Sequence, residues 1–313
     1  MSPLLSVDHV SVRFRSAGWW RQRWVTVLAD VSLSVARGEM VALIGASGAG
    51  KSVLAQAVLG VLPSTAAVSG VIQFEGTVLT PPVLARLRGR RIALVPQTLT
   101  HLDPVRRIGP QLVAAARRGG VPADQRVAAV RTELARYGLG EAVARQHPHT
   151  LSGGMARRAL AAMATVGQAD LLLADEATTG LDPEATLHAL RLLRGLADDG
   201  RGVLVITHDL AAVLRLADRV VVLYAGQTVE EVAGSALAQG AVRHPYSHAL
   251  WQALPSQSFQ PLAGHPPTGD GDGEGDGCRF RPRCAAAGPD CATAPPLRRV
   301  EEGWVRCHRP RSW

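Results

Sequence analysis

Gly45-Ala46-Ser47-Gly48-Ala49-Gly50-Lys51-Ser52 has the form G-x-x-x-x-G-K-[ST], and its reading decides the fold. It follows Met40-Val41-Ala42-Leu43-Ile44, an apolar run that predicts a buried strand, and runs into Val53 to Leu59, which predicts a helix. Strand, glycine loop and helix start together make the context that a phosphate-binding loop needs. Glycines let successive backbone N–H groups turn toward one anion, and the helix N-terminus adds partial positive charge. In such a loop Gly45, Ser47, Gly48 and Gly50 shape the cradle, Lys51 reaches the β- and γ-phosphates, and the Ser52 hydroxyl sits on Mg²⁺. The alternative is a glycine-rich turn with no ligand. Lys51 is the only lysine among 34 Lys and Arg residues; every other one is arginine. A compact ammonium, rather than a planar fork, is kept where a phosphate is expected.

Outward from the loop, 313 residues suffice for one large domain with an appendage. The 47% apolar content supports a substantial core, and 4% aromatics means it is built from Ala, Leu and Val. A net charge of +8 would suit nucleic acid or anionic lipid. The arginines are scattered without a long basic tract, however, which reads as a solvated surface. The N-terminus alternates in strand fashion (Val7, Val10, Val12) and lacks the apolar core of a signal peptide. Ser52 to Phe74 is long and uncharged, but Gly60, Pro63, Ser64, Thr65, Ser69 and Gly70 interrupt it, against a membrane helix. These features predict a cytosolic protein that meets a membrane only through partners.

Residues 4–14 and 25–35 predict two strands flanking a loop with Trp19, Trp20 and Trp24. Phe14 closes the first strand, where it stacks on an adenine ring or packs in the core; core packing is the reading for the tryptophans. Gly70 to Leu79 predicts a hairpin turning at Glu75-Gly76, and Arg91 to Gln97 a short buried strand ending in a polar residue. Residues 105–145 have helical spacing and form an insertion. Buried-strand signals follow at 171–174, 203–206, 220–223 and 227–229, separated by helices, so the fold class is α/β with a largely parallel sheet. From about residue 256 the character changes, and Thr268 to Gly277 alternates Gly with Asp or Glu. That segment reads as a flexible acidic linker, since the order of ligands in a calcium loop is missing.

Three further stretches carry chemistry. Leu171-Leu172-Leu173-Ala174-Asp175-Glu176 is an apolar strand ending in two carboxylates. Beside a phosphate loop the first holds Mg²⁺ and the second polarises an attacking water. Leu151-Ser152-Gly153-Gly154-Met155 precedes a helical run, giving a second anion site of bare amides, a hydroxyl and a helix dipole, or simply a helix cap. Two such sites serve one nucleotide if the second faces a neighbouring subunit. His208 stands just past a buried strand, where a γ-phosphate sensor or a structural histidine fits.

In combination and order these residues resemble the ATP-binding subunits of ABC transporters, over residues 4–240. The resemblance implies a P-loop ATPase with a mostly parallel sheet core, an antiparallel β subdomain and a helical subdomain at about 98–165. It makes Gln97 the Q-loop glutamine, Leu151 to Met155 the signature, Asp175 and Glu176 the Walker B pair, Asp182 the D-loop aspartate and His208 the switch histidine. Ser52, Gln97 and Asp175 are the residues it sets on Mg²⁺. Met155, the stretch Asp175 to Asp182, Ala217 to Gly226 and His244-Pro245-Tyr246-Ser247 are similar to the oligopeptide, dipeptide and nickel importer group. Against that group's pattern, Thr98 to Pro104 is about one residue short, which bears on permease docking. Ala177 replaces Pro, and Ala156 and Gly180 replace more usual side chains expected near a dimer interface.

Cys278, Cys284, Cys291 and Cys307 all lie within the extension at 241–313. A cytosolic setting disfavours disulfides, and the spacing lacks the close pairs of common zinc sites. Cys278 to Cys284 resembles the CxFxxRC tail of the same importers, which implies a [4Fe–4S] cluster on four thiolates; zinc and metal-free thiols are the alternatives. By resemblance, then, the chain hydrolyses ATP to power import of peptides, nickel or a metal chelate. The implied partners are a second, different ATPase subunit, two transmembrane permease subunits and an extracytoplasmic binding protein. The implied location is the cytoplasmic face of the cell's inner membrane, with no nucleic acid bound. The rival readings are a nucleic-acid ATPase and an iron–sulfur sensor on the same scaffold.

Overall fold

The structure is a computed structural model that describes residues 2–16, 23–260, 262–265, 277–301 and 303–311. Trp19, Trp20 and nearly all of the acidic linker lie outside them. In chain order come β1 (Leu5–Ser16), β2 (Arg23–Val35), β3 (Met40–Ile44), α1 (Lys51–Leu59), β4 (Ala66–Phe74), β5 (Thr77–Val78) and α2 (Pro81–Leu87). Next are β6 (Ile92–Val95), α3 (Ile108–Arg118), α4 (Arg126–Arg136), α5 (Gly153–Thr165), β7 (Leu171–Asp175), α6 (Pro183–Asp198) and β8 (Gly202–Thr207). The chain closes with α7 (Leu210–Val213), β9 (Arg219–Tyr224), β10 (Gln227–Ala233), α8 (Gly234–Ala238), α9 (Pro245–Gln252), β11 (Arg298–Val300) and β12 (Gly303–Val305). Two compact units result: residues 1–35, 40–79 and 207–313, and residues 36–39 and 80–206.

In the first unit β3 is buried at all five residues and pairs parallel with β9. Its unbroken apolar run is what a strand covered on both faces requires. The Met40 N–H donates to the Asp218 carboxylate, which anchors the start of β3 beside β9. β10 turns back antiparallel on β9, so the expected parallel sheet gains an antiparallel margin here. The ends of β9 and β10 are only two residues apart, and so short a link joins antiparallel strands, never parallel ones. A separate four-stranded antiparallel sheet has the order β2-β1-β4-β5. Val7, Val10 and Val12 are all buried although the first gap spans three residues. The cause is a bulge at His9 (φ 48°), opposed by Asp30 (φ 77°), where Ser32 Oγ and Ser11 Oγ accept the displaced N–H groups.

The extension joins this unit through β12, which pairs antiparallel with β10 while β11 pairs with β12. No sequence signal marked these two short strands. Arg306 is 5% exposed and fastens them: it donates to the Thr228 and Pro295 carbonyls and forms an ion pair with Asp30 at 2.8 Å.

In the second unit β6, β7 and β8 are parallel in register. The inserted helices enclose their own core: Ile108, Leu112 and Ala116 recur at helical spacing on α3 and meet Val130, Leu134, Ala156, Ala159 and Leu160. Ala156, which replaces a more usual side chain, is buried here at 3% exposure, because its position on α5 turns into that core. Among the described residues no helix is long and apolar enough to cross a membrane.

Candidate functional site

The phosphate loop forms as its glycines dictate. Gly48 (φ 80°) and Gly50 (φ 96°) hold left-handed backbone that L side chains resist. A Cβ at Gly50 would also lie 2.4 Å from Leu28 Cδ2, and one at Gly45 only 2.3 Å from the Leu223 carbonyl oxygen. Gly50 is the N-cap of α1, so the helix begins at Lys51 itself. Lys51 is 5% exposed, and its ammonium donates to the carbonyls of Gly45 (2.9 Å) and Ala46 (3.1 Å), folded back inside its own loop. Ser47 and Gly48 stand exposed at the loop tip and Ser52 is half-buried.

His208 and Phe14 belong to the same unit. His208 is exposed just beyond β8, where Asp209 caps the short α7 by accepting the Ala212 N–H at 3.0 Å. Phe14 is half-buried on β1, opposite Val25 and Ala66. Trp24 is not core, as expected of it, but 43% exposed, with the Arg13 guanidinium 4.8 Å from its ring centre.

The carboxylate pair lies in the second unit. Asp175 ends the fully buried β7 and is 9% exposed. Glu176 adopts φ 47°, an uncommon conformation for a residue with a side chain. Its N–H donates to the Ile206 carbonyl at 2.9 Å, so strand pairing holds the strained residue in place. One carboxylate oxygen of Glu176 accepts from Thr179 Oγ1 at 2.9 Å and from Gln97 Nε2 at 3.5 Å. Gln97, exposed just beyond β6, is thus brought onto Glu176. Thr179 was missed by sequence reasoning; its place three residues after Glu176, in a turn, was the available signal. Asp182 caps α6, accepting the Ala185 N–H at 2.8 Å.

Ser152 likewise caps α5, its hydroxyl accepting the Met155 N–H at 3.2 Å. A Cβ at Gly153 or Gly154 would meet nothing within 4 Å, so the chain's own packing does not demand glycine there. What glycine leaves is an open helix N-terminus with two bare amides, suited to an anion. Arg158 Nε donates back to the Gly154 carbonyl at 3.4 Å, and its Nη1 donates to the Tyr137 and Gly138 carbonyls at 3.2 Å.

The four cysteines are free thiols. All four line one cavity of about 10 Å³ together with His244, Phe280 and His308. Burial pushes the thiols of Cys278 and Cys284 up, and that of Cys307 to about 11. Convergence of four soft donors on one cavity fits a thiolate-held group. As the side chains stand, no three His, Cys, Asp or Glu residues among those described are spaced to hold a metal ion.

Comparison with known proteins gives two family matches: ABC transporter over residues 28–179, and oligopeptide/dipeptide transporter, C-terminal region, over residues 229–291. The chain is 37% identical to the oligopeptide transport ATP-binding protein OppD of Mycobacterium tuberculosis, covering 95% of this chain and half the length of that relative. It is 32% identical to AppD, the oligopeptide transport ATP-binding protein of Bacillus subtilis, covering 98% of this chain and 97% of that one. Among solved structures, an ATP-binding subunit of an ABC transporter matches with TM-score 0.62 and 29% identity, over 75% of this chain and 92% of that one. A dimeric post-hydrolysis ATP-binding cassette with ADP and Pi matches with TM-score 0.64 and 25% identity, over 73% and 98%.

Proposed function

We propose that this chain, which belongs to the ABC transporter family of ATP-binding proteins, is the ATP-hydrolysing subunit of an oligopeptide importer. The observation that carries the reading is Glu176, held at a strand end by Thr179 and Gln97 in a chain that also carries the Lys51 loop. Lys51 and the loop amides bind the β- and γ-phosphates, and Phe14 offers a ring to the adenine. Glu176 accepts a proton from the attacking water, while Gln97 and His208 contact the γ-phosphate. Ser52, Gln97 and Asp175 are the residues that would hold Mg²⁺, which when bound would supply positive charge against the phosphates. The open Ser152-Gly153-Gly154 terminus serves the nucleotide of a neighbouring subunit, with Asp182 at the same junction, so each ATP is shared by two chains.

That neighbour is a second, different ATPase subunit, and the pair works on two transmembrane permease subunits fed by an extracytoplasmic binding protein. The chain therefore sits peripherally on the cytoplasmic face of the membrane. The relatives named above are oligopeptide transport proteins, which favours peptides over nickel or a metal chelate as cargo. Full transport with this chain as the only ATPase would contradict the mixed pairing. The four cysteines are proposed to hold a [4Fe–4S] cluster, which when bound supplies a covalent staple across the extension.

Glu176→Gln tests the assignment. The variant should bind ATP as tightly as the parent chain while turnover falls by at least about a hundredfold, as for loss of a general base. Undiminished hydrolysis by a folded Glu176→Gln variant would sink the reading.

A further inference from the structure

Tyr246 lies in the extension, about 200 residues from the phosphate loop, yet its hydroxyl accepts the Ala46 N–H at 3.2 Å. That N–H belongs to the Gly45–Ala46 peptide unit, whose carbonyl on the opposite edge receives the Lys51 ammonium at 2.9 Å. A trans peptide is planar, with its N–H and C=O pointing in opposite directions. One rigid plate therefore links the phenol on one side to Lys51 on the other. Rotation of that plate would turn the carbonyl away from Lys51.

The phenol is itself immobilised from three directions. Tyr246 is 1% exposed, with its ring 4.6 Å from that of Tyr224 and 5.5 Å from that of Phe280. Its own N–H donates to His244 Nδ1 at 3.0 Å, which fixes the first turn of α9. The Glu230 carboxylate, buried at 1% exposure, accepts the N–H groups of Arg243 (2.5 Å) and His244 (3.0 Å) and so holds the approach to that turn. On the far side of the plate Gly45 packs directly on the Leu223 carbonyl. Burial pushes the Tyr246 hydroxyl up to about 12, so it remains a neutral phenol under working conditions.

We propose that Tyr246 is a positioning residue for Lys51, acting through the Gly45–Ala46 peptide. The extension thereby sets the geometry of the phosphate loop. The inference rests on reading Gly45 to Ser52 as that loop. A lost hydroxyl frees the plate, so Lys51 leaves its preset place and phosphate binding weakens, while the aromatic stack stays filled by phenylalanine. Tyr224 supplies the control: it is buried in the same stack, but its hydroxyl accepts from Arg283 at 3.4 Å rather than from the loop.

The test uses the full chain, a fluorescent N-methylanthraniloyl-ATP with Mg²⁺, and amide exchange at Ala46 followed by NMR. Tyr246→Phe should bind the nucleotide about threefold to tenfold more weakly, the range one neutral hydrogen bond commands. It should exchange the Ala46 amide faster, with a melting temperature lowered by no more than a few degrees. Tyr224→Phe should stay within about twofold of the parent. Unaltered affinity in Tyr246→Phe, or an equal loss in Tyr224→Phe, would overturn the proposal. A parent chain that does not bind the probe would instead strike the loop reading, and this inference with it.

Discussion

Glu176 and Gly180 stand four residues apart and both hold left-handed backbone, φ 47° and 74°, but for different reasons. Gly180 accepts the conformation at no steric cost, whereas Glu176 is held there by its bond to the Ile206 carbonyl. The sequence departure at Gly180 is thereby explained as backbone relief. A Cβ there would lie 3.2 Å from Arg157, whose guanidinium would have to shift. Gly180→Ala should therefore destabilise the chain by about 1–2 kcal/mol, the cost of placing an L side chain in the left-handed region. Urea unfolding measures it, and an alanine variant as stable as the parent would show that this turn relaxes freely.

Among the elements, β6, β7 and the loop before β3 share one electrostatic fastening. Asp170, just ahead of β7, pairs with Arg91 at 2.7 Å and Arg37 at 2.9 Å. Partial burial would raise the Asp170 pKa, but the hydrogen bonds and charges of Arg91 and Arg37 outweigh it and hold the group below its usual 3.8. A carboxylate depressed in the folded chain stabilises it above the unfolded value, and loses that contribution as pH falls through the folded one. Asp170→Asn should therefore lower the urea midpoint at pH 7, and the two midpoints should converge below 3.8. A gap independent of pH would show that Asp170 acts through shape rather than charge. All three side chains are partly solvated, so high salt should narrow the gap at pH 7.

At the scale of the whole molecule, the extension is what distinguishes this chain from a bare nucleotide-binding cassette. Arg306 and the β10–β12 pairing bring Cys307 into the same cavity as Cys278, Cys284 and Cys291. Four thiols distant from one another along the extension are gathered without a disulfide. The full chain purified anaerobically should carry about four iron atoms and a thiolate-to-iron absorption band, both lost in Cys307→Ser. Iron-free protein with bound zinc, or with neither metal, would overturn the cluster reading. Removing the metal should also lower the melting temperature, since binding to the folded chain alone adds to its stability.

Much of this protein was legible before any coordinates. The Gly45 to Ser52 loop, the strand-end carboxylates and the Ser152 cap are local: each needs only neighbours a few residues away, and glycine, buried-strand and capping signals are written at that range. The hairpin turning at Glu75-Gly76 was legible for the same reason. The burial of Ala156 and the strands of the extension depended on partners tens of residues off, to which no local pattern refers, whereas the antiparallel place of β10 follows from its two-residue link to β9. Tyr246 marks the boundary most clearly. By itself the sequence determined that a lysine would sit in a glycine cradle; only the tertiary structure decided which peptide that lysine leans on and which distant phenol holds the peptide. Backbone hydrogen-bond partners across 200 residues follow from packing, and packing is a property of the folded chain.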